Sequence, residues 1–366
     1  MEAGIIIIVV WYALNIVWLL YGFTKVPTFI PEATVPVTRF SVIVPFRNEA
    51  ENLPKLLTSI SKLQYPKDLF EVILVDDASD KRFQIPDFQF QISILNNERS
   101  THSPKKDAIN TAMQHAKNDW IITTDADCIV PENWLGIFDA FIQQKQPKMI
   151  ASGVYYQTRS SLLDSFQQLD LLSLQGTTIG SFGNLQAFMC NGANFCYNKN
   201  YFKVLNGFEG NDNIASGDDV FLLQKAIAKD SKNVYFLKSE ATLVKTQPEA
   251  SWKGLFYQRV RWASKTANYN GIYSKQLGIS VFLMNFCWVF CLVFWILDSI
   301  PLFFFFLIVA TKLLTDTLLI FKTILFFKTE RHHFLVSNLI YPFFSTAVVL
   351  YSFFGSYSWK GRKFKM

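Results

Sequence analysis

The sequence predicts an α/β fold, with a largely parallel sheet in the middle of the chain and membrane-spanning helices before and after it. Three observations carry this. Nearly unbroken apolar runs, Phe40–Val44, Phe70–Val75 and Trp120–Thr123, alternate with segments of helical spacing, the pattern of right-handed crossovers and of strands covered on both faces. Half of the chain is apolar, with 36 Phe and 9 Trp, yet the middle has ordinary polar content and both ends are almost charge-free. Acidic residues also stand directly after predicted strands, as Asp76-Asp77 and as Asp125-Ala-Asp127.

The chain has 366 residues, enough for one large domain or two small ones. Its net charge of +6 suits a neighbour of an anionic membrane surface and is too weak and scattered for nucleic acid. Five cysteines without a Cys-x-x-Cys pair argue against a disulfide framework or a zinc site and for a reducing compartment. The four histidines are dispersed apart from His332-His333, which reads as a solvated or headgroup-level loop.

Ile5 to Phe23 has Asn15 as its one strongly polar member and is long enough to cross a hydrocarbon core of ~30 Å. With no basic region ahead of it and no small-residue cleavage site after it, it reads as an anchor. The nearest basic residues, Lys25 and Arg39, follow it, so the positive-inside rule puts the N-terminus outside and the following chain in the cytosol. Pro27, Pro31 and Pro36 make 25–38 a stiff linker. Phe40–Val44 is then a strand stopped by Pro45, and Asn48–Leu63 a helix with Leu53, Leu56, Leu57, Ile60 and Leu63 on one face. Phe70–Val75 is a second strand, Phe90–Leu95 a weaker third, Lys105–Lys117 a helix and Trp120–Thr123 a further strand.

Beyond this, Ile150–Tyr156 predicts a strand and Ser161–Leu174 a helix. Asn191-Gly-Ala-Asn194 predicts a turn leading into a short strand and helix, and Val220–Lys229 a helix opened by Ser216-Gly-Asp-Asp219. Trp252–Lys265 mixes Trp252, Leu255, Phe256 and Trp262 with Lys253, Arg259, Arg261 and Lys265, as in an amphipathic helix lying among headgroups. Leu277–Leu297 and Leu302–Phe321 form a spanning hairpin, despite Lys312 and Asp316, followed by a basic cytosolic loop Lys322–His333. In the last apolar run, Phe334–Phe354, a single crossing would put the basic 360–365 end outside. That conflict favours a re-entrant segment bent at Pro342. The expected organisation is an anchor at 1–24, a linker at 25–38, an α/β domain at 39–270 and a membrane region with about three apolar segments at 271–366.

Each polar motif has a bland reading. Asp125-Ala-Asp127 can cap a turn before Pro131, Asp76-Asp77 can be a simple turn, and Asp218 can cap a helix. Ligands of open α/β sheets nevertheless gather beyond the carboxyl ends of strands, and paired carboxylates there suit a hard cation carrying phosphate oxygens.

Taken together, and in this order, the motifs resemble the membrane-bound members of glycosyltransferase family 2, which have the GT-A fold, a Rossmann-like architecture. Ser41-Val-Ile-Val-Pro-Phe-Arg-Asn-Glu49 looks like the family's opening strand and Asn-Glu turn, and Val75-Asp76-Asp77-Ala-Ser-Asp80 like its nucleotide-binding segment. Pro104-Lys105-Lys-Asp-Ala-Ile-Asn110 is similar to its Gly-Lys-x-x-Ala-Leu-Asn element, Asp125-Ala-Asp127 to its metal motif, Gly217-Asp218-Asp219 to its Glu-Asp, and Gln258-Arg-Val-Arg-Trp262 to its Gln-x-x-Arg-Trp box. The resemblance covers roughly 40–265. Asp80 comes one residue earlier than in the commoner form, Pro104 replaces a glycine and Asp218 a glutamate.

The resemblance implies Mg²⁺ or Mn²⁺ held by Asp127 and Asp125. Donor contacts would come from Glu49, Asp76, Asp77, Lys105, Asp125, Gln258, Arg261 and Trp262, with Asp218 and Trp262 on the acceptor side and Asp219 as general base. It implies an inverting transferase acting on a nucleotide sugar, UDP-linked by preference, with a lipid or lipid-linked saccharide as acceptor. A processive polysaccharide synthase would carry more membrane helices after the box; a non-catalytic nucleotide-sugar-binding protein would have lost acids that are all present here; a transporter would need a larger conduit.

Overall fold

The computed structural model describes residues 2–81, 85–212, 214, 216–266, 268–269, 271–359 and 362–365. In chain order the elements are α1 (Glu2–Lys25), β1 (Phe40–Phe46), α2 (Leu53–Ser61), β2 (Phe70–Asp76), β3 (Gln91–Asn96), α3 (Pro104–His115), β4 (Trp120–Thr123), α4 (Trp134–Lys145), β5 (Met149–Ser152), β6 (Val154–Tyr156) and α5 (Leu162–Gly183). They continue as β7 (Phe195–Asn198), α6 (Lys199–Val204), α7 (Asp218–Asp230), β8 (Val234–Leu237), β9 (Val244–Thr246), α8 (Trp252–Thr266), α9 (Ile272–Ile296), α10 (Leu302–Phe327), α11 (Phe334–Ser352), β10 (Ser356–Trp359) and β11 (Arg362–Lys365). The chain divides into two compact units, one of residues 26–157 and 187–247, the other of 1–25, 158–186 and 248–366.

The first unit holds a seven-stranded sheet in the order β3-β2-β1-β4-β7-β5-β8. β1 pairs in parallel with β2 and β4, β2 with β3, and β5 with β8, while β7 runs antiparallel to β4 and β5. The expected α/β class and largely parallel sheet are therefore present, with one strand reversed. Leu53, Leu56, Leu57 and Ile60 of α2 and Trp134, Leu135 and Phe138 of α4 share one buried core with the sheet residues Val42, Val44, Val72 and Ile122. Their burial is the main driving force for the layered packing.

Several local expectations shift. β1 does not stop at Pro45 but pairs with β2 as far as Phe46, opposite Asp76. Its pairing with β4 ends at Ile43, so one side of β1 is unladdered where the proline sits, the position in which its missing N–H is tolerated. The 150–156 strand breaks at Gly153 into β5 and β6, and β6 pairs with β9 in a separate two-stranded sheet. The α4 helix, whose apolar face is Trp134, Leu135 and Phe138, was not among the expected elements.

In the second unit, α1, α9, α10 and α11 are each long and apolar enough to cross a membrane. α5 belongs with them although it buries Gln167, Gln168, Asp170 and Gln175, and it runs nine residues beyond the expected Leu174. It meets α1 at glycines: a Cβ on Gly183 would lie 1.8 Å from the Gly22 carbonyl oxygen, and one on Gly180 2.4 Å from that of Leu19. Helix backbones approach this closely only where side chains are absent. The two charges that interrupt α10 are paired, Lys312 Nζ with Asp316 Oδ2 at 2.6 Å, and the Tyr12 hydroxyl of α1 donates to Asp316. Pairing is how ionisable groups persist in such helices.

Two expectations for this unit are corrected. The loop expected from Lys322 begins later, because α10 continues to Phe327. The last apolar run does not turn back at Pro342: α11 is one helix of 19 residues with the proline inside it. A proline removes one backbone hydrogen bond, and neighbouring helices compensate within apolar bundles.

Candidate active site

The topology selects one place for a ligand. From β1 the chain steps outward to β2 and β3, then returns through α3 to β4 on the other side of β1. The carboxyl ends of β1 and β4 therefore flank the point where strand order reverses, the usual crevice of open α/β sheets. Asp76 ends β2, Asp77 donates its N–H to Phe46 O at 2.8 Å, and Thr124 donates to Ile43 O at 3.1 Å just before Asp125.

At the β2 end the two neighbouring acids differ. Asp76 Oδ1 accepts from Ser79 N at 2.9 Å and Ser79 Oγ at 2.6 Å, so this carboxylate closes a turn. Asp77 is buried, and its Oδ1 accepts from Asn97 Nδ2 at 2.8 Å and Arg99 Nη1 at 3.2 Å. Arg99 also binds the fully buried Asp107 at 3.2 Å. Asp80 joins the loops after β1 and β2: its N–H donates to Asn48 Oδ1 and its Oδ2 accepts from Asn48 Nδ2, both at 2.8 Å. Glu49 lies in the loop after β1 and accepts from Asn52 Nδ2 at 2.7 Å.

Around the β4 end the acids converge. Lys105, in the first turn of α3, donates from Nζ to Asp125 Oδ1 at 2.7 Å and lies 3.6 Å from Asp218 Oδ2. Pro104 takes the first helical turn, where its missing N–H has no intrahelical partner to lose. Burial alone would lower the Lys105 pKa, but Asp125, Asp218 and Asp219 outweigh it and hold the ammonium well above the ordinary lysine range. Asp125-Ala-Asp127 does form a turn, closed by Cys128 N on Asp125 O at 3.1 Å, so the bland reading and the site reading describe the same geometry. Burial, with Asp127 and Asp125 alongside, pushes the Cys128 thiol up and keeps it neutral.

Asp218 and Asp219 open α7 after Gly217, whose φ of +81° suits a residue without a Cβ. Asp219 Oδ2 accepts from Gly192 N at 2.7 Å. A Cβ on Gly192 would stand 3.2 Å from Asp218 Oδ2 and 3.4 Å from Asp219 Oδ2, so glycine permits this approach. The turn at 192–194 is fixed below by Asn194, whose Oδ1 accepts from Trp134 Nε1 and whose Nδ2 donates to Gly153 O and Thr242 O.

Thus the structure brings Lys105, Asp125, Asp218 and Asp219 together and places Asp77 at the adjoining strand end. Gln258, Arg261 and Trp262 lie on α8 in the other unit. There Gln258 Nε2 donates to Glu249 Oε1 at 3.0 Å, and the Arg259 guanidinium stands 4.1 Å from the Trp262 ring and pairs with Asp170 at 2.5 Å. Sequence reasoning assigned no site role to Asn97, Arg99, Asp107, Lys106 or Arg259. The first two follow β3 as the acids follow β2 and β4, a positional signal that polar loop composition hides.

Among the described residues no three His, Cys, Asp or Glu side chains converge as a ready metal cage. The donor set still fits a hard divalent cation, because such ions are commonly held by one or two carboxylates and completed by substrate phosphates. Asp125, Asp127, Asp218 and Asp219 outnumber the two lysines near them, Lys105 and Lys106, so there is acidic charge for a cation to offset.

An open, mostly parallel sheet with acids at its switch point defines an α/β protein of the GT-A type. Residues 41–205 match glycosyl transferase family 2, and the chain carries a domain of that family. It is 33% identical over 110 residues to the poly(ribitol-phosphate) beta-N-acetylglucosaminyltransferase TarS of Staphylococcus aureus, covering 29% of this chain and 19% of the relative. It is 24% identical over 291 residues to the probable glycosyltransferase YdaM of Bacillus subtilis, covering 69% of this chain and 64% of the relative. Each match thus spans less than two thirds of the relative's length. The mannosyltransferase PcManGT from Pyrobaculum calidifontis, solved in complex with GDP-Man and Mn²⁺, shares the fold with a TM-score of 0.55 at 17% identity, covering 96% of this chain and 99% of that one.

Proposed function

We propose that this protein is a membrane-anchored, inverting glycosyltransferase that moves a sugar from a nucleoside-diphosphate sugar to a lipid or lipid-linked saccharide. The observation that carries the reading is the convergence of Lys105, Asp125, Asp218 and Asp219 near the carboxyl end of β4. Family membership supports the reaction class, and four apolar helices support a membrane-bound acceptor.

In this reading Asp77, held by Asn97 and Arg99, accepts hydrogen bonds from the base, UDP being the favoured nucleotide, while Asp76 and Glu49 shape the loops beside it. Lys105 supplies positive charge to the diphosphate. Asp127 and Asp125 would hold Mg²⁺ or Mn²⁺, which when bound stabilises the leaving diphosphate as a Lewis acid. Asp219 takes the proton of the acceptor hydroxyl as it attacks the anomeric carbon from the face opposite the leaving group. Asp218 lies on the acceptor side. Gln258, Arg261 and Trp262 are assigned to the donor, as the family box implies, and Trp262 also offers an apolar surface to the acceptor. The catalytic unit faces the cytosol, on the same side as Lys25.

The test is release of nucleoside diphosphate by purified protein given a panel of nucleotide sugars, Mn²⁺ or Mg²⁺ and total membrane lipid. Asp219→Asn should lower the transfer rate by about 10²- to 10⁴-fold, the range of a lost general base. An undiminished rate for that variant would remove Asp219 from the role, and a rate indifferent to chelation would remove the metal.

A further inference from the structure

Lys106, next to Lys105 on α3, points the other way. It is fully buried, and its Nζ donates to the main-chain carbonyls of Asn211 at 2.5 Å and Ile214 at 3.0 Å. The same ammonium lies 5.1 Å from the ring of Phe221, in the first turn of α7. Lys106 therefore touches the chain on both sides of Asp218-Asp219: at 211 and 214 before the pair, and at 221 after it.

A second lysine holds the outer part of the same loop. Lys225, on α7, donates from Nζ to Glu209 O at 2.7 Å, Gly207 O at 2.8 Å and Leu205 O at 3.3 Å. Between them the two ammonium groups take five carbonyls, those of Leu205, Gly207, Glu209, Asn211 and Ile214, and residues 205–212 have little regular structure to satisfy their backbone.

Burying an ammonium is expensive, and methionine would fill the same volume without that cost. The charge is retained where the carbonyls of the approach to the base converge, and where Asp218 and Asp219 favour it electrostatically.

We propose that Lys106 is a positioning residue: by fixing the backbone at Asn211 and Ile214, on the chain leading into Asp218-Asp219, it aims the base at the acceptor. This rests on the proposed transferase reading and deepens it. Lys225 steadies the outer turn at 205–209 and has no part in aiming the base.

The test compares Lys106→Met and Lys225→Met with wild type in the full-length protein. Nucleoside diphosphate release, KM for the nucleotide sugar and Tm in detergent are measured. For Lys106→Met, kcat should fall about 10- to 100-fold, the scale of an ångström-level misplacement, with KM for the donor changed less than about threefold. For Lys225→Met, kcat should change less than about threefold. If Lys106→Met fails to fold, Lys106→Gln, which keeps an amide donor, is read by the same criteria. A full kcat per folded molecule in the Lys106 variant, or a KM rise as large as the kcat fall, overturns the proposal; so does an equal loss of kcat in both variants. Wild type and Asp219→Asn are run alongside. An inactive wild type defeats the transferase reading itself, whereas an active wild type with a fully active Lys106 variant defeats only the positioning role.

Discussion

Lys105→Met should move two measurements in opposite directions. At 2.7 Å from Asp125 Oδ1 the ammonium competes for an oxygen that a divalent cation would need. At an effective dielectric near 20 the bare attraction at that distance is ~6 kcal/mol. Asp125 is 38% exposed, so solvent screening and the desolvation of both groups leave a net interaction of ~0.5–1 kcal/mol. Removing the competitor should therefore tighten binding of Mn²⁺ alone to nucleotide-free protein about two- to fivefold. Turnover should fall about 10- to 100-fold, because a charge-assisted contact to the diphosphate is worth ~1.5–3 kcal/mol. Titration calorimetry with Mn²⁺ and release of nucleoside diphosphate measure the two effects. Unchanged or weaker Mn²⁺ binding would refute the competition, and unchanged turnover would take Lys105 off the phosphates.

Two further outcomes are expected. Gly183→Val puts a side chain where a Cβ already comes within 1.8 Å of Gly22 O. The α1–α5 contact must open, at ~1–3 kcal/mol or more, and Tm in detergent should drop; a wild-type Tm would show that these helices do not meet this closely. Burial, partly offset by Asp218, Asp219 and Asp212, pushes the Lys106 ammonium down to about 8. From about pH 8 to the ordinary lysine value near 10.4 the unfolded chain then binds the extra proton, so stability rises with pH across that window, by ~3 kcal/mol at most. The Tm difference between wild type and Lys106→Met should change in that direction between pH 8 and pH 10, and a constant difference would refute the shift.

How far the sequence could be read depended on the kind of signal. β4 matches its expected bounds because Trp120–Thr123 is a short apolar run closed by polar residues. The α3 helix and the strand-end acids were legible for the same reason, local periodicity and local chemistry. Pro45 misled because a proline's effect depends on whether a neighbouring strand ladders against it, and nothing near it in sequence says so. Pro342 misled because charge counting cannot tell a kinked helix from a turned one. Asp76 and Asp77 looked equivalent as neighbours, yet one closes a turn on Ser79 and the other is held by Asn97 and Arg99. α5 read simply as a helix, Ser161–Leu174; the glycines beyond that range acquire meaning only against α1, at Leu19 and Gly22.

By itself the sequence determined the α/β class, the apolar segments and the candidate acids, because those depend on residue type and on spacing within one element. The tertiary structure decided which acids share a lysine, that Asp219 is tied to Gly192, and that Lys106 binds the backbone leading into Asp218-Asp219. Those facts join positions up to about a hundred residues apart, such as Lys106 and Asn211, and only the fold of the unit brings them together.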